Sequence, residues 1–395
     1  MDSQAAASRQ GAPATRALAG FFLSGFLLAL LGAILPAWGY YRDPPEFITV
    51  GNYFLCVGAA VIASHGVANK LLPRGGVSFL LVFACSLACL ALLYLAMVSP
   101  PVGAAWRMAG LAFAGLGAGL LNTGLFHAMS GGDQRNPAAS AAKAGMFYGL
   151  GCLAATLLVA GTFYAYTVPA ILILMAVVPG LFAVLYANTG IPAAVPAGRP
   201  SLAQALRDFR SPGAVLFAML LFFQFGNEWS LAGWLPLFLV RRLGISPAGA
   251  LWLVALYWLT LMAGRVGAVY ALGRVRAGKL LGLSVLAAIF GLALLFFTNN
   301  AFGAGTGVVF VGGGFASIYP LVADKIGRRF PYYHPAFFNG IFSFALMGGM
   351  LAPATLGYFA AATDIGVVMA LPLAGTSMVL VLLLLIWLEA KVTGR

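Results

Sequence analysis

The sequence predicts an all-α integral membrane protein with twelve transmembrane helices in two pseudo-symmetric six-helix halves. Three observations predict it. Of 395 residues, 62% are hydrophobic and only 8% charged, whereas a soluble chain carries about 25% charged residues. Long apolar runs recur along the chain, and the second half repeats landmarks of the first. Apolar surface on this scale needs lipid as its solvent. The excess of 22 basic over 9 acidic residues would suit nucleic acid, but the placement of the charges fits membrane topology instead. The cysteines, Cys56, Cys85, Cys89 and Cys152, lie in apolar runs and read as small buried hydrophobes, with no metal spacing and no disulfide pattern.

About 20 apolar residues cross the hydrocarbon as a helix. The first such run, 18–40, follows a leader, 1–17, that holds Arg9 and Arg16. It is too long for a cleaved signal and lacks a clear small-residue cleavage site. Runs two and three, 48–70 and 77–98, are separated by "LLPRGG"; runs four to six are 103–129, 140–163 and 166–188. The longest connection, 189–212, is rich in Pro and basic residues, and its "SLAQALRDF" has the pattern of a short amphipathic surface helix capped by Ser201. Runs seven to twelve are 213–239, 247–272, 278–298, 302–325, 335–361 and 366–389.

With a cytoplasmic N-terminus, 17 Lys and Arg fall on the cytoplasmic side and 4 on the other, with Arg265 inside a span. Positive charge favours the cytoplasm, so both termini are expected there, including the tail 391–395. The expected organisation is a leader 1–17, a six-helix half 18–188, a cytoplasmic loop 189–212 and a second half 213–390.

The repeat supports these halves. Pro36 matches Pro236, Arg74 matches Arg274 and His65 matches Arg265, each 200 positions on; Gly119 matches Gly314 and Gly145 matches Gly340 at 195. A parallel duplication of six spans accounts for the shared register, and places a site near midplane between the halves.

Span seven carries the sharpest chemistry, "FFQFGNEWSLAGWLPLFL" at 222–239. Glu228 is the only acidic residue near the centre of a span. It lies about 22 Å along the helix axis at 1.5 Å per residue. A carboxylate there faces a cavity or a partner, because hydrocarbon disfavours it. Gln224 is one turn earlier, and Asn227, Ser230 and Trp234 form the adjacent stripe. The expected roles are solute hydrogen bonding through Glu228, Gln224 and Asn227, or proton carriage by Glu228. The plain alternative is a helix-to-helix tie. Pro236 is placed to bend the outer part of this helix as a gate. In span four, Asn122 is polar and His127 follows toward the cytoplasm, a second candidate for proton coupling or a satisfied structural residue. Tyr319, Trp38 and Asn339 are further candidate cavity residues, and Trp38 equally fits an interfacial aromatic belt. Arg265 lies near the cytoplasmic end of span eight, where it snorkels or pairs with Asp324 of span ten.

The pattern resembles the major facilitator superfamily over nearly the whole chain. "NEWSLAGWLPLFL", "GGGFASIYPLVAD" and "FFNGIFSFALMGGMLAPATLGYFA" resemble its fucose and glucose/galactose permease branch. The resemblance implies that span four lines the cavity and gives Arg265 a structural or gating role. Two positions depart from the branch. The acid expected in span one is Gly32, and the acid often found in span four is Asn122. The loop signature is reduced to "GVANKLLPRGG".

No enzyme site emerges. Glycine runs such as "AGLGAGLL" lie within apolar spans and fit close helix packing; no nucleotide-binding loop is present in the sequence, and no cofactor or metal is expected. The expected activity is secondary or facilitative transport of a small polar solute, a sugar in first place, by a monomer in a bacterial inner membrane, with a proton or sodium ion as the coupling ion in the case of symport. The alternatives are export of a drug-like or lipid-like solute on the same scaffold, and a membrane receptor that does not transport.

Overall fold

A computed structural model describes residues 2–130, 137–189, 209, 211–330 and 335–393, with side chains outside 2–17, 130, 137–142, 335–339 and 342. All but the last residue of the surface helix expected at 201–209, and most of the loop around it, lie outside the described residues.

Among the described residues every regular element is a helix, and eleven are long and apolar enough to cross a membrane. They are α1 (Asp2–Ala37), α2 (Phe47–Met97), α3 (Ala104–Ser130), α4 (Pro137–Thr162), α5 (Val168–Ala187), α6 (Pro212–Leu243), α7 (Pro247–Leu272), α8 (Ala277–Phe297), α9 (Ala301–Arg329), α10 (Pro335–Ala362) and α11 (Val367–Val392). Local chemistry sets several ends. Ser246 caps α7 by accepting from the Gly249 N–H at 3.2 Å, and Asn300 caps α9 by accepting from the Gly303 N–H at 2.7 Å. Gly244 ends α6 with φ 65°, the left-handed conformation that closes a helix most cheaply with glycine.

The expected second and third spans both fall in α2, which is 51 residues long. Its backbone leaves helical geometry at Gly76, with φ 72° and ψ −175°. Contacts with α3 show what this break does. Gly115 packs on Val57 and Gly119 on Ser64, so this part of α2 ascends with α3. Gly110 packs on Leu95, Gly117 on Ala88 and Gly124 on Leu81, so the part after Gly76 descends against it. The chain therefore reverses at Gly76.

The chain divides into two compact units, Met1–Tyr40 with Asn52–Pro196, and Tyr41–Gly51 with Ala197–Arg395. In the first, α1 packs on α3, α4 and α5. In the second, α6 packs on α7, α9, α10 and α11, and α9 also holds α7 and α8. Each unit has a close crossing that only glycine permits. A Cβ on Gly151 of α4 would lie 1.8 Å from the Phe22 carbonyl oxygen of α1; one on Gly348 of α10 would lie 2.1 Å from that of Phe222 in α6. Phe22 and Phe222 are 200 positions apart, as the sequence repeat requires. Further on the internal contacts recur at 197, not 195. Gly115 meets the Val57 carbonyl and Gly312 that of Tyr257; Gly117 meets Ala84 and Ala88, while Gly314 meets Ser284 and Ala288. Gly119 thus corresponds to Ala316, which faces Gly264 as Gly119 faces Ser64. Glycines two residues apart in both segments let the sequence match slip by two.

Candidate functional site

The span-seven residues form two groups on α6. At 3.6 residues per turn each residue advances about 100°. Gln224 and Glu228 therefore lie roughly 40° apart, whereas Asn227 and Trp234 share a direction about 100° away from Glu228. The structure separates them accordingly. Gln224 Nε2 donates to Glu228 Oε1 at 2.7 Å. Gln224 is wholly buried, and among the described residues no donor reaches its Oε1. A buried acceptor left without a donor is costly, about 1–3 kcal/mol. Asn227 instead donates through Nδ2 to Thr376 Oγ1 of α11 at 3.1 Å. Trp234, also wholly buried, donates Nε1–H to the Pro353 carbonyl of α10 at 2.9 Å and packs on the Phe47 ring. These two polar groups are spent on helix packing in the described state. Pro236 is buried within α6, which continues past it to Leu243.

Tyr319 comes to the Gln224–Glu228 pair from α9. Its ring lies 5.4 Å from that of Phe225. Arg265 of α7 is within electrostatic reach of both the Glu228 carboxylate and the Tyr319 hydroxyl. Asp324, the partner expected for Arg265, is engaged by Arg328 one turn on, at 2.9 Å. An (i, i+4) partner on the same helix end is always at hand, and Arg265 lies higher, beside Gly264 where α7 meets Gly313 and Ala316 of α9. The second unit thus gathers Gln224, Glu228, Arg265 and Tyr319 from three helices.

The candidates of the first unit are placed separately. Asn122 accepts from Ser24 Oγ at 2.6 Å, a bond from α1 to α3 across 98 positions. His127 is partly buried near the end of α3. Trp38 is 6% exposed and joins a cluster around Arg107, itself 6% exposed. Arg107 donates from Nε to Tyr53 Oη at 2.8 Å and from a terminal nitrogen to Tyr40 Oη at 2.9 Å, and also bonds the Val102 carbonyl. Its guanidinium lies 5.7 Å from the Trp38 ring centre. Asn339 lies outside the described side chains. Among the described residues no group of His, Cys, Asp and Glu has the arrangement of a metal site.

Sequence reasoning missed Ser24 and the link from Arg265 to Glu228. A serine in an apolar span carries little signal alone. The charge of Arg265, well inside span eight, was the available clue for the second.

Residues 128–353 match the Major Facilitator Superfamily. Among curated proteins none matches the sequence. Solved structures share the fold. The nucleoside transporter NupG has a TM-score of 0.71 at 12% identity, covering 95% of this chain and 99% of its own. The xylose transporter XylE of E. coli has a TM-score of 0.73 at 12% identity, covering 93% and 97%. The E. coli fucose:proton symporter FucP has a TM-score of 0.62 at 15% identity, covering 95% and 98%. A family match across more than half of the sequence, with these folds beside it, makes the chain a non-enzymatic, multi-pass membrane transporter that belongs to the Major Facilitator Superfamily.

Proposed function

We propose that the chain carries a small polar solute, a sugar in first place, by alternating access, with Gln224 and Glu228 at its solute site. The observation that carries this reading is the buried Gln224 Oε1, which finds no donor among the described residues while its own amide holds Glu228. A solute hydroxyl would supply that donor, and Tyr319 adds an aromatic face. The nucleoside, xylose and fucose transporters that share the fold carry hydroxyl-bearing solutes, in keeping with this class. The proposed protein crosses a bacterial inner membrane twelve times as two six-helix halves, 18–188 and 213–390, joined by a cytoplasmic loop and with both termini cytoplasmic. A helix the length of α2 would extend about 76 Å at 1.5 Å per residue, far beyond the roughly 30 Å hydrocarbon. Its reversal at Gly76 supports counting it as two crossings.

The test is uptake of labelled sugars into proteoliposomes with and without an imposed pH gradient. Glu228→Gln should weaken uptake while the protein still folds. Loss of gradient-driven accumulation with exchange retained would assign proton coupling to Glu228. Wild-type uptake by Glu228→Gln, or no uptake across a broad sugar panel, refutes the corresponding part of the reading.

One feature favours the drug-like or lipid-like alternative. The first unit carries an apolar groove of about 380 Å³ lined by Phe22, Phe147, Leu150, Leu153, Leu157 and Phe182. Competition by a hydrophobic cation dye for the protein, lost in Leu153→Trp, supports that second reading, and indifference to the dye removes it.

A further inference from the structure

We infer that Arg265 is the counter-charge of Glu228 and sets the charge class of the solute, so that the site admits neutral molecules and turns away charged ones. The inference rests on the proposed solute role of Glu228 and goes beyond it, because it gives Arg265 a specificity role in place of the gating or structural one that the family resemblance implies.

Packing within the second unit converges the groups. At Gly264, α7 presses so close to α9 that an added Cβ would lie 2.7 Å from that of Ala316 and 3.1 Å from the Gly313 backbone. Arg265 is the next residue along α7. Tyr319 is three residues beyond Ala316, hence on the same face of α9. It meets α6 through Phe225 at 5.4 Å. Gln224 holds Glu228 from one turn below at 2.7 Å. Arg265 acts on Glu228 across this junction. No such device exists at the matching position of the first unit. His65, 200 positions before Arg265, is exposed and bonds within its own helical turn, at the Ile62 carbonyl 3.2 Å away.

The physical consequence is a matter of charge balance. A lone carboxylate in a low-dielectric site attracts cations and repels anions. A carboxylate balanced by a guanidinium presents dipoles and hydrogen-bonding groups with no net charge. A charged solute entering such a site brings a charge with no partner and is disfavoured by its own desolvation. Removing either member of the pair should therefore change which solutes are accepted, in opposite directions.

The experiment uses the full chain in proteoliposomes at pH 7, with labelled glucose competed by glucosamine and by glucuronate. Wild type should prefer glucose to either charged analogue by about tenfold or more. Arg265→Gln should shift preference toward glucosamine by about tenfold, and Glu228→Gln toward glucuronate. The double variant, Glu228→Gln with Arg265→Gln, should again prefer glucose. Thermal unfolding of the four proteins in detergent gives a readout independent of transport. Each single variant leaves a partly buried charge unmatched, so each should unfold at a lower temperature than the double variant. A double variant that unfolds lowest, by the sum of the single losses, overturns the inference, as does an unchanged solute preference in Arg265→Gln. Coupled unfolding temperatures with no uptake of any probe by wild type would overturn the sugar reading while upholding Arg265 as the counter-charge.

Discussion

Asn227 donates through Nδ2 to Thr376 Oγ1 at 3.1 Å, and Gly375 beside that threonine leaves room for the amide. A Cβ on Gly375 would lie 2.3 Å from Asn227 Oδ1. Gly375→Ala should therefore destabilise the protein by about 1–3 kcal/mol through overpacking. Asn227→Ala should cost about 1–2 kcal/mol, the lost interhelical bond plus a small cavity. Because the new methyl group can occupy the space vacated by the amide, the double variant should lose less than the sum. Thermal unfolding of the three variants checks this, and strict additivity would show that the two positions do not share that space.

The same contact shows what was legible in the sequence. The spans were legible, because a 20-residue apolar run leaves the chain few other choices. The interruption at "LLPRGG" was legible too, although in the structure the backbone leaves helical geometry only at Gly76, where the chain reverses. Helical spacing puts Gln224 on the Glu228 face and Asn227, Ser230 and Trp234 on the adjacent stripe, which reads as one polar sector of α6. Their separation depends on where each finds its partner: Thr376 of α11 for Asn227, the Pro353 carbonyl of α10 for Trp234, and Gln224 of α6 itself for Glu228. Such partners are 149 and 119 positions away in the first two cases, and nothing on α6 names them. Of the two alternatives for Arg265, snorkelling or pairing with Asp324, the pairing rests on nearness to the same membrane face, whereas Asp324 takes the local partner Arg328.

Arg107 anchors three segments of the first unit, through Tyr53, Tyr40 and the Val102 carbonyl. The two tyrosine hydroxyls also share a hydrogen bond at 2.6 Å. Arg107→Leu should cost about 2–4 kcal/mol, from lost charge-assisted bonds and lost contact with the Trp38 and Tyr40 faces. Arg107→Lys should recover little of this, because an ammonium lacks the planar fork that serves several acceptors at once. Unfolding temperatures decide the point, and a lysine variant as stable as wild type would show that charge alone suffices.

Gly76 holds φ 72° and ψ −175°, and a Cβ there would meet nothing within 4 Å. The space is open, so any loss on substitution is conformational. That region of backbone space is essentially restricted to glycine. Gly76→Ala should cost about 1–3 kcal/mol. Gly66, also without neighbours within 4 Å but helical, is the control. Gly66→Ala should be neutral or stabilising by up to about 1 kcal/mol. Equal effects at the two glycines would contradict a reversal that depends on the Gly76 backbone.

Gln224 separates a binding role from a packing role. In Gln224→Leu the amide bond to Glu228 is lost, at a cost of about 1.5–3 kcal/mol for a bond to a charged group. The same substitution removes the buried Oε1 that has no donor, which returns about 1–3 kcal/mol. Leucine is close to glutamine in volume, so the cavity term is small. The net change in stability should be near zero, within about 1 kcal/mol, in contrast to the loss expected for Asn227→Ala. Solute binding should suffer much more, because the acceptor for a hydroxyl is gone and Glu228 loses its positioning donor. The KM for the transported sugar should rise by about 10-fold to 100-fold, as expected when one or two hydrogen bonds to a solute are deleted. Transport kinetics and unfolding temperature measured on one preparation test both halves. A large loss of stability with unchanged KM would make Gln224 a packing residue and remove it from the solute site.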